Sequence, residues 1–268
     1  TLTHDFYKGE SGRAKIIGEK RKKIKNSDYT SILKAIKQIK NNNTCPRYIK
    51  IPLPQDITNK GSKSFINLQI KGDRQDQLYA HQIALLDILA NFKWERPLYF
   101  INAEQTLNQF IIKKKGRVQD YGLLNYVQEE GAVSRLVPSR TNYSPQQRNI
   151  NIEKSYDLLM NKYSYGNLSN PDVYYCHYTD RSISGFRSPF VSLSQQLIQR
   201  GDEEEKKGNK EAYKYYEKAD SLADKYFDSI PYHTGIYDRV SAQIASIYAT
   251  TNPEKGEKII NKLLNEYQ

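Results

Sequence analysis

The stretch QLYAHQIALLDILANFKWERPLYFIN (77–102) decides how the chain is read, because its pattern changes in the middle. From Gln77 to Asn91 the residues Leu78, Ile83, Leu85, Leu86, Ile88 and Leu89 supply the broad apolar face of a helix. RPLYFIN (96–102) then predicts a short strand. Between them stands Trp94, the one tryptophan of 268 residues. Its place predicts that it covers the joint between helix and strand, with Pro97 fixing where the strand begins.

The same alternation extends outward. Upstream, SFINLQIKG (64–72) sets Phe65, Asn67 and Gln69 against Ile66, Leu68 and Ile70, a period of two that predicts a strand with one buried face. RYIKIPLP (47–54) is extended, with Pro52 and Pro54 marking an edge or an end. Before it, Ser27 or Asp28 can cap a helix whose apolar positions are Ile32, Leu33, Ile36 and Ile39. Downstream, Asp120 to Glu130 predicts a helix stopped by Gly131, and AVSRLVP (132–138) a strand stopped by Pro138. Residues 28–150 are therefore expected to form an α/β (α+β) sheet layer covered by helices.

The rest of the chain, 151–268, reads as helical. A helix is expected at Glu153 to Tyr163, a long polar and aromatic loop over 164–189 containing YYCHYTDR (174–181), and helices from Val191 onward. Turns at Gly208-Asn209 and Thr251-Asn252-Pro253 divide that end into two α-hairpins, with PYHTG (231–235) between them. The pattern predicts an all-α, tetratricopeptide-like region, whose stacked hairpins make packing or binding surfaces.

Charge is uneven. The chain carries +11 overall, yet residues 1–50 hold 13 Lys and Arg against 4 Asp and Glu. The peak is GEKRKKIKN (18–26), and residues 1–27 are read as a basic leader, either solvated and disordered or juxtamembrane and facing anionic headgroups. Aromatic residues do not interleave with this run, which argues against nucleic acid as a partner. No stretch approaches the roughly 18 uninterrupted apolar residues of a membrane helix. The chain opens at Thr1 with neither Met nor a charged-then-apolar leader, and is expected to be a piece of a longer protein.

Few residues suggest chemistry. Walker, GxGxxG, HExxH and GxSxG patterns are missing, and His4, His81, His177 and His233 are scattered. Cys45 and Cys176 fit no zinc-ligand spacing and are expected as thiols, although one disulfide would suit an oxidising compartment. Cys176 and His177 are neighbours, but neighbours point apart on a strand, and the passage is better read as an aromatic loop. The 22 tyrosines can line a sugar face or fill helix interfaces, the latter being expected of Tyr213, Tyr215 and Tyr216.

Three spaced motifs go further. Asp87 with Trp94, Arg96, Pro97 and Tyr99 form the first; Glu130 and Gly131 with Arg135 and Pro138 form the second; the third is SYDLLMNKYSYGNL (155–168), with Gly166. In order and separation they resemble the soluble C-terminal region of a Bacteroidetes family of multi-spanning membrane proteins of formerly unknown function, grouped with GT-C-type, protein O-mannosyltransferase-like glycosyltransferases. The resemblance implies a periplasmic location on the inner membrane. It also implies that the sugar-transferring machinery lies in a membrane-embedded N-terminal part, so no catalytic, cofactor or metal residue carries over to this chain. The implied function is a non-catalytic accessory domain that binds acceptor protein, glycan or a partner subunit. The alternative is an α/β domain with its own hydrolase or transferase activity, which would show converging carboxylates or a Cys/His pair in a deep pocket. Asp220-Ser221-Leu222 and Asp228-Ser229-Ile230 also resemble the Asp-Ser/Thr-apolar acceptor of O-glycosylation in the same group of bacteria.

Overall fold

A computed structural model describes residues 13–20, 24–54, 64–114, 117–141, 143–145, 148–170, 172–174, 176–230 and 239–265. The PYHTG loop and residues 21–23 of the basic run lie outside them. The chain divides into two compact units, Thr1–Gln128 with Arg135–Gln147, and Glu129–Ser134 with Arg148–Gln268. It is a mixed α/β fold of small sheets with a helical C-terminal region.

In the first unit, β1 (Arg13–Ile17) lies between β3 (Thr44–Pro46), to which it is parallel, and β6 (Gln77–Tyr79), to which it is antiparallel. Residues 13–17 of the expected leader are thus a strand of the fold, with Ala14 and Ile16 of β1 buried in the core, while residues 1–12 of it lie outside the described residues. A second sheet orders β2 (Thr30–Ser31), β4 (Tyr48–Pro52) and β5 (Phe65–Gln69), with β4 and β5 antiparallel. The period-two reading holds there: Ile49, Ile51, Ile66 and Leu68 are buried while Phe65 is exposed.

Helix α1 (Ile32–Asn42) buries Ile32, Ala35, Ile36 and Ile39. Its cap is Ser31, whose Oγ accepts from the Lys34 N–H at 3.4 Å, and not Ser27 or Asp28. Asp28 instead closes a short 3-10 turn by accepting from the Lys25 N–H at 2.8 Å. Leu33, read as an apolar face position, is exposed. Helix α2 (Ala80–Asn91) starts three residues later than expected because Gln77–Tyr79 pairs with β1. Within α2, Ile83, Leu85, Leu86 and Leu89 are buried and Ile88 faces solvent, while Asp87 takes a buried place among them.

The predicted strand at 96–102 shortens to β7 (Tyr99–Phe100), followed by the one-turn helix α3 (Ala103–Thr106) and the hairpin of β8 (Ile112–Lys114) and β9 (Arg117–Asp120). The predicted helix at 120–130 is not formed. Asp120 Oδ1 instead gathers the Gly122 N–H at 3.0 Å and Asn125 Nδ2 at 2.9 Å over a 3-10 turn (Gly122–Tyr126). The chain then runs on as β10 (Val127–Glu130), which pairs with β11 (Val133–Leu136). Leu123, Leu124 and Val127 fit helical spacing in sequence, but pairing between strands outweighs that local preference.

In the second unit, α4 (Ile152–Asp157) continues into one π turn (Leu158–Lys162), together covering the expected helix at 153–163. Helix α5 (His177–Lys206) begins well before Val191, inside what reads as a loop, and passes through Pro189. Its helicity comes from packing, since Ile183, Phe190, Val191, Leu193 and Leu197 all enter the second core. Helices α6 (Ala212–Ser229), α7 (Arg239–Thr251) and α8 (Pro253–Asn265) follow, each packed on the one before, with turns at Gly208-Asn209 and Asn252 as expected. No helix among the described residues is long and apolar enough to cross a membrane.

Candidate functional site

The tryptophan junction is built on one strained residue. Trp94 has φ +64°, a left-handed conformation that is uncommon for a bulky side chain and costs about 1–2 kcal/mol. Two contacts hold it there. The indole Nε1 donates to the Pro52 carbonyl at 2.9 Å, and the ring packs tilted on Phe92 with centroids 4.8 Å apart. The turn after α2 is thereby tied to the end of β4, which is the covering role expected of this residue.

Beside the turn is a cleft of ≈ 440 Å³ lined by Asp87, Ile88, Asn91, Phe92, Lys93, Glu95, Arg96, Pro97 and Leu98. Asn91 Nδ2 donates to the Asp87 carbonyl at 2.8 Å and approaches the Asp87 carboxylate at 3.5 Å. Asp87 is thus a buried carboxylate held by the last turn of its own helix, while Glu95 and Arg96 are exposed. Apolar walls with a few polar groups suit binding. General acid–base work would need two titratable groups aimed at one reacting atom.

The start of the second motif, Glu130 and Gly131, lies in the second unit and reads as a structural clamp. Glu130 is 1% exposed and ion-paired to Lys154. Gly131 has φ +62°, its N–H donates to Ser155 Oγ at 3.0 Å, and the next N–H, of Ala132, donates to the Tyr163 hydroxyl at 3.2 Å. Glu129 adds backbone bonds, accepting from the Asn151 N–H at 2.9 Å and donating to the Asn149 carbonyl at 2.7 Å. The tip of the β10–β11 hairpin is so fastened to the segment 148–163. Of the other motif residues, Arg135 and Pro138 are half-buried on and just beyond β11, and Gly166 opens a turn at φ +56°. Tyr99 stands on β7, 40% exposed.

The thiols differ. Burial pushes the Cys45 thiol up to about 12, so it is protonated at neutral pH and a poor nucleophile. Cys176 is exposed just before α5; the His177 side chain lies outside the described residues, as do His4 and His233. His81 stacks on Tyr79 with centroids 6.2 Å apart. Among the described residues no group of three or more His, Cys, Asp or Glu is placed to hold a metal ion.

The helical tyrosines separate into two kinds. Tyr216 donates to Asp202 at 2.7 Å, which raises its pKa, and joins α6 to α5. Tyr226 and Tyr248 are buried, the first bonded to Ser241 Oγ at 3.0 Å and the second to Asp224 at 2.5 Å. Tyr213, expected to pack, is instead 54% exposed. Ser221 lies inside α6 with its hydroxyl bonded to the Glu217 carbonyl at 2.9 Å.

Two features escape sequence reading. Arg47, 5% exposed, donates to the Gly18 carbonyl at 2.8 Å and to both carboxylate oxygens of Asp76 at 3.3 and 2.9 Å. Nothing in the spacing of residues 18, 47 and 76 announces that triad. The other is the outer face of β4 and β5, where Lys50, Phe65 and Asn67 come together; the alternation of β5 was its only signal.

Comparison with known proteins finds a match over residues 49–154 to the model of TMEM260-associated domain 2. No curated protein and no solved structure matches the chain. The matched span runs from β4 to Lys154, taking in the tryptophan junction and the Glu130–Lys154 pair, and stops just before the third motif. Over that span, less than half of its length, the chain is similar to TMEM260-associated domain 2, which fits a domain of a TMEM260-like protein.

Proposed function

We propose that this chain is a non-catalytic accessory region of a membrane glycosyltransferase-like protein of the O-mannosyltransferase-like kind, held on the periplasmic side of the inner membrane. The observation that carries the reading is the match of residues 49–154 to TMEM260-associated domain 2. The three spaced motifs support it, since two of them fall inside the matched span. Its partner in the same protein is the membrane-embedded N-terminal part, and its ligands are acceptor protein, glycan or another subunit. The helical hairpins offer a surface for such a ligand, with Phe186 and Tyr213 exposed on α5 and α6. The basic run that follows β1, Lys20 to Lys25, is the part that in this reading faces anionic headgroups.

The test is a comparison of protein-linked sugars in the source cells with the gene intact and with the segment encoding residues 13–265 deleted. Membrane-part abundance is followed by immunoblot. Loss of protein-linked hexose at unchanged abundance is the expected result. An unchanged glycoproteome with the segment gone removes the accessory role.

A further inference from the structure

The outward face of β4 and β5 carries chemistry that the accessory reading does not use. Lys50 and Asn67 sit opposite one another in the ladder, and Phe65 pairs with Pro52 one step along on the same face. With Asn26 and Ser64 these side chains line a cleft of ≈ 320 Å³, the volume range of small-ligand sites. Asn67 Nδ2 donates to Asn26 Oδ1 at 3.3 Å, which among the described residues leaves the Asn67 side-chain carbonyl and the Asn26 amino group for a ligand. The Lys50 ammonium lies 4.9 Å from the centroid of the Phe65 ring, and that residue is 40% exposed. Among the described residues Lys50 meets no carboxylate and the Ser64 hydroxyl no hydrogen-bond partner.

An exposed ring, two amides that fix each other, a hydroxyl and an unneutralised ammonium form a complementary set. The ring accepts an apolar C–H face, the amides and hydroxyl accept and donate to ring hydroxyls, and the ammonium asks for an anion. A plain anion would leave the ring and amides unused, and a neutral sugar would leave Lys50 without a counterion. We propose that this cleft binds an acidic saccharide of the hexuronate class, with its C–H face on Phe65, its hydroxyls on Asn26, Asn67 and Ser64, and its carboxylate on Lys50. The inference rests on the accessory reading for its biological ligand, but its chemistry is tested on the purified chain alone.

The experiment is an amide NMR titration of the 268-residue chain with glucuronate, glucose and acetate. Glucuronate is expected to shift the signals of Lys50, Phe65 and Asn67 saturably, with glucose binding about tenfold more weakly for want of one charge-assisted bond. Lys50→Gln then brings glucuronate down to the affinity of glucose, and Phe65→Ala weakens both sugars. Asn67→Asp, which keeps shape and adds a like charge, weakens glucuronate selectively. The proposal is overturned by absent saturable shifts, by acetate matching glucuronate, or by Lys50→Gln retaining the preference. Such a failure leaves the glycoproteome comparison standing, so the two readings fail separately.

Discussion

Replacing Gly131 by Ala tests the clamp at the β10–β11 tip. A Cβ at Gly131 would sit 2.5 Å from the Tyr163 hydroxyl and 3.1 Å from its Cζ, and the backbone there has φ +62°. The left-handed conformation costs an L-residue about 1–2 kcal/mol. The ring must also withdraw, losing the hydrogen bond from the Ala132 N–H, worth about 0.5–1.5 kcal/mol. The sum is about 1.5–3.5 kcal/mol. Gly166 is the control, because it shares the left-handed conformation at φ +56° but has nothing within 4 Å of the added carbon, so Gly166→Ala should cost only the first part. Urea denaturation followed by helical circular dichroism reads the difference. Tyr163→Phe supplies the second arm: it deletes the oxygen that Gly131→Ala strikes, so the double variant should be less destabilised than the sum of the singles by roughly 1 kcal/mol. Equal costs for the two glycines, together with strict additivity in the double variant, would refute the reasoning.

Three further outcomes concern an ion pair, the two thiols and the tryptophan tie. Hydrogen bonds from the Arg47 guanidinium hold the Asp76 carboxyl below its usual range. A depressed carboxyl stabilises the fold above its unfolded value near 4, and the contribution is lost as pH falls through the lower folded value. Asp76→Asn should therefore cost about 1–3 kcal/mol at neutral pH, intermediate because Arg47 is 5% and Asp76 39% exposed, and should remove that acid-side component of the urea midpoint profile. Cys176 should react with iodoacetamide at pH 8 in the native chain while Cys45, buried and pushed up to about 12, reacts only in denaturant; equal rates by mass spectrometry contradict this. Trp94→Phe keeps the packing on Phe92 but deletes the bond to the Pro52 carbonyl, and should lower stability by about 1 kcal/mol, with no change in urea midpoint arguing against that tie.

What was legible in the sequence is what local pattern controls. The four-residue spacing of Ile32, Ile36 and their neighbours, the alternation around Ile66 and Leu68, and the Gly208 and Asn252 turns each correspond to an element in place. What was missed depends on distant partners. Arg13–Ile17 is a strand because residues 44–46 and 77–79 flank it, and nothing in RAKII distinguishes it from a solvated basic leader. Val127 to Glu130 reads as helix until β11 pairs with it, and residues 177–190 read as loop until Phe190 and Ile183 find the second core. The candidate clefts show the same division. Asp87 and Arg96 are close in sequence and belong to one motif, whereas Lys50 and Asn67 become neighbours only through strand register.

The interleaving of the two units has a consequence for anyone who would exchange them. Six residues of the second unit, Glu129–Ser134, are threaded through the sequence of the first. A single cut near residue 148 would carry away Glu130 from Lys154 and strip Ser155 Oγ and the Tyr163 hydroxyl of the two amides they accept. The helical part is therefore not a cassette that recombination can splice behind another α/β layer. It should be inherited with its hairpin tip.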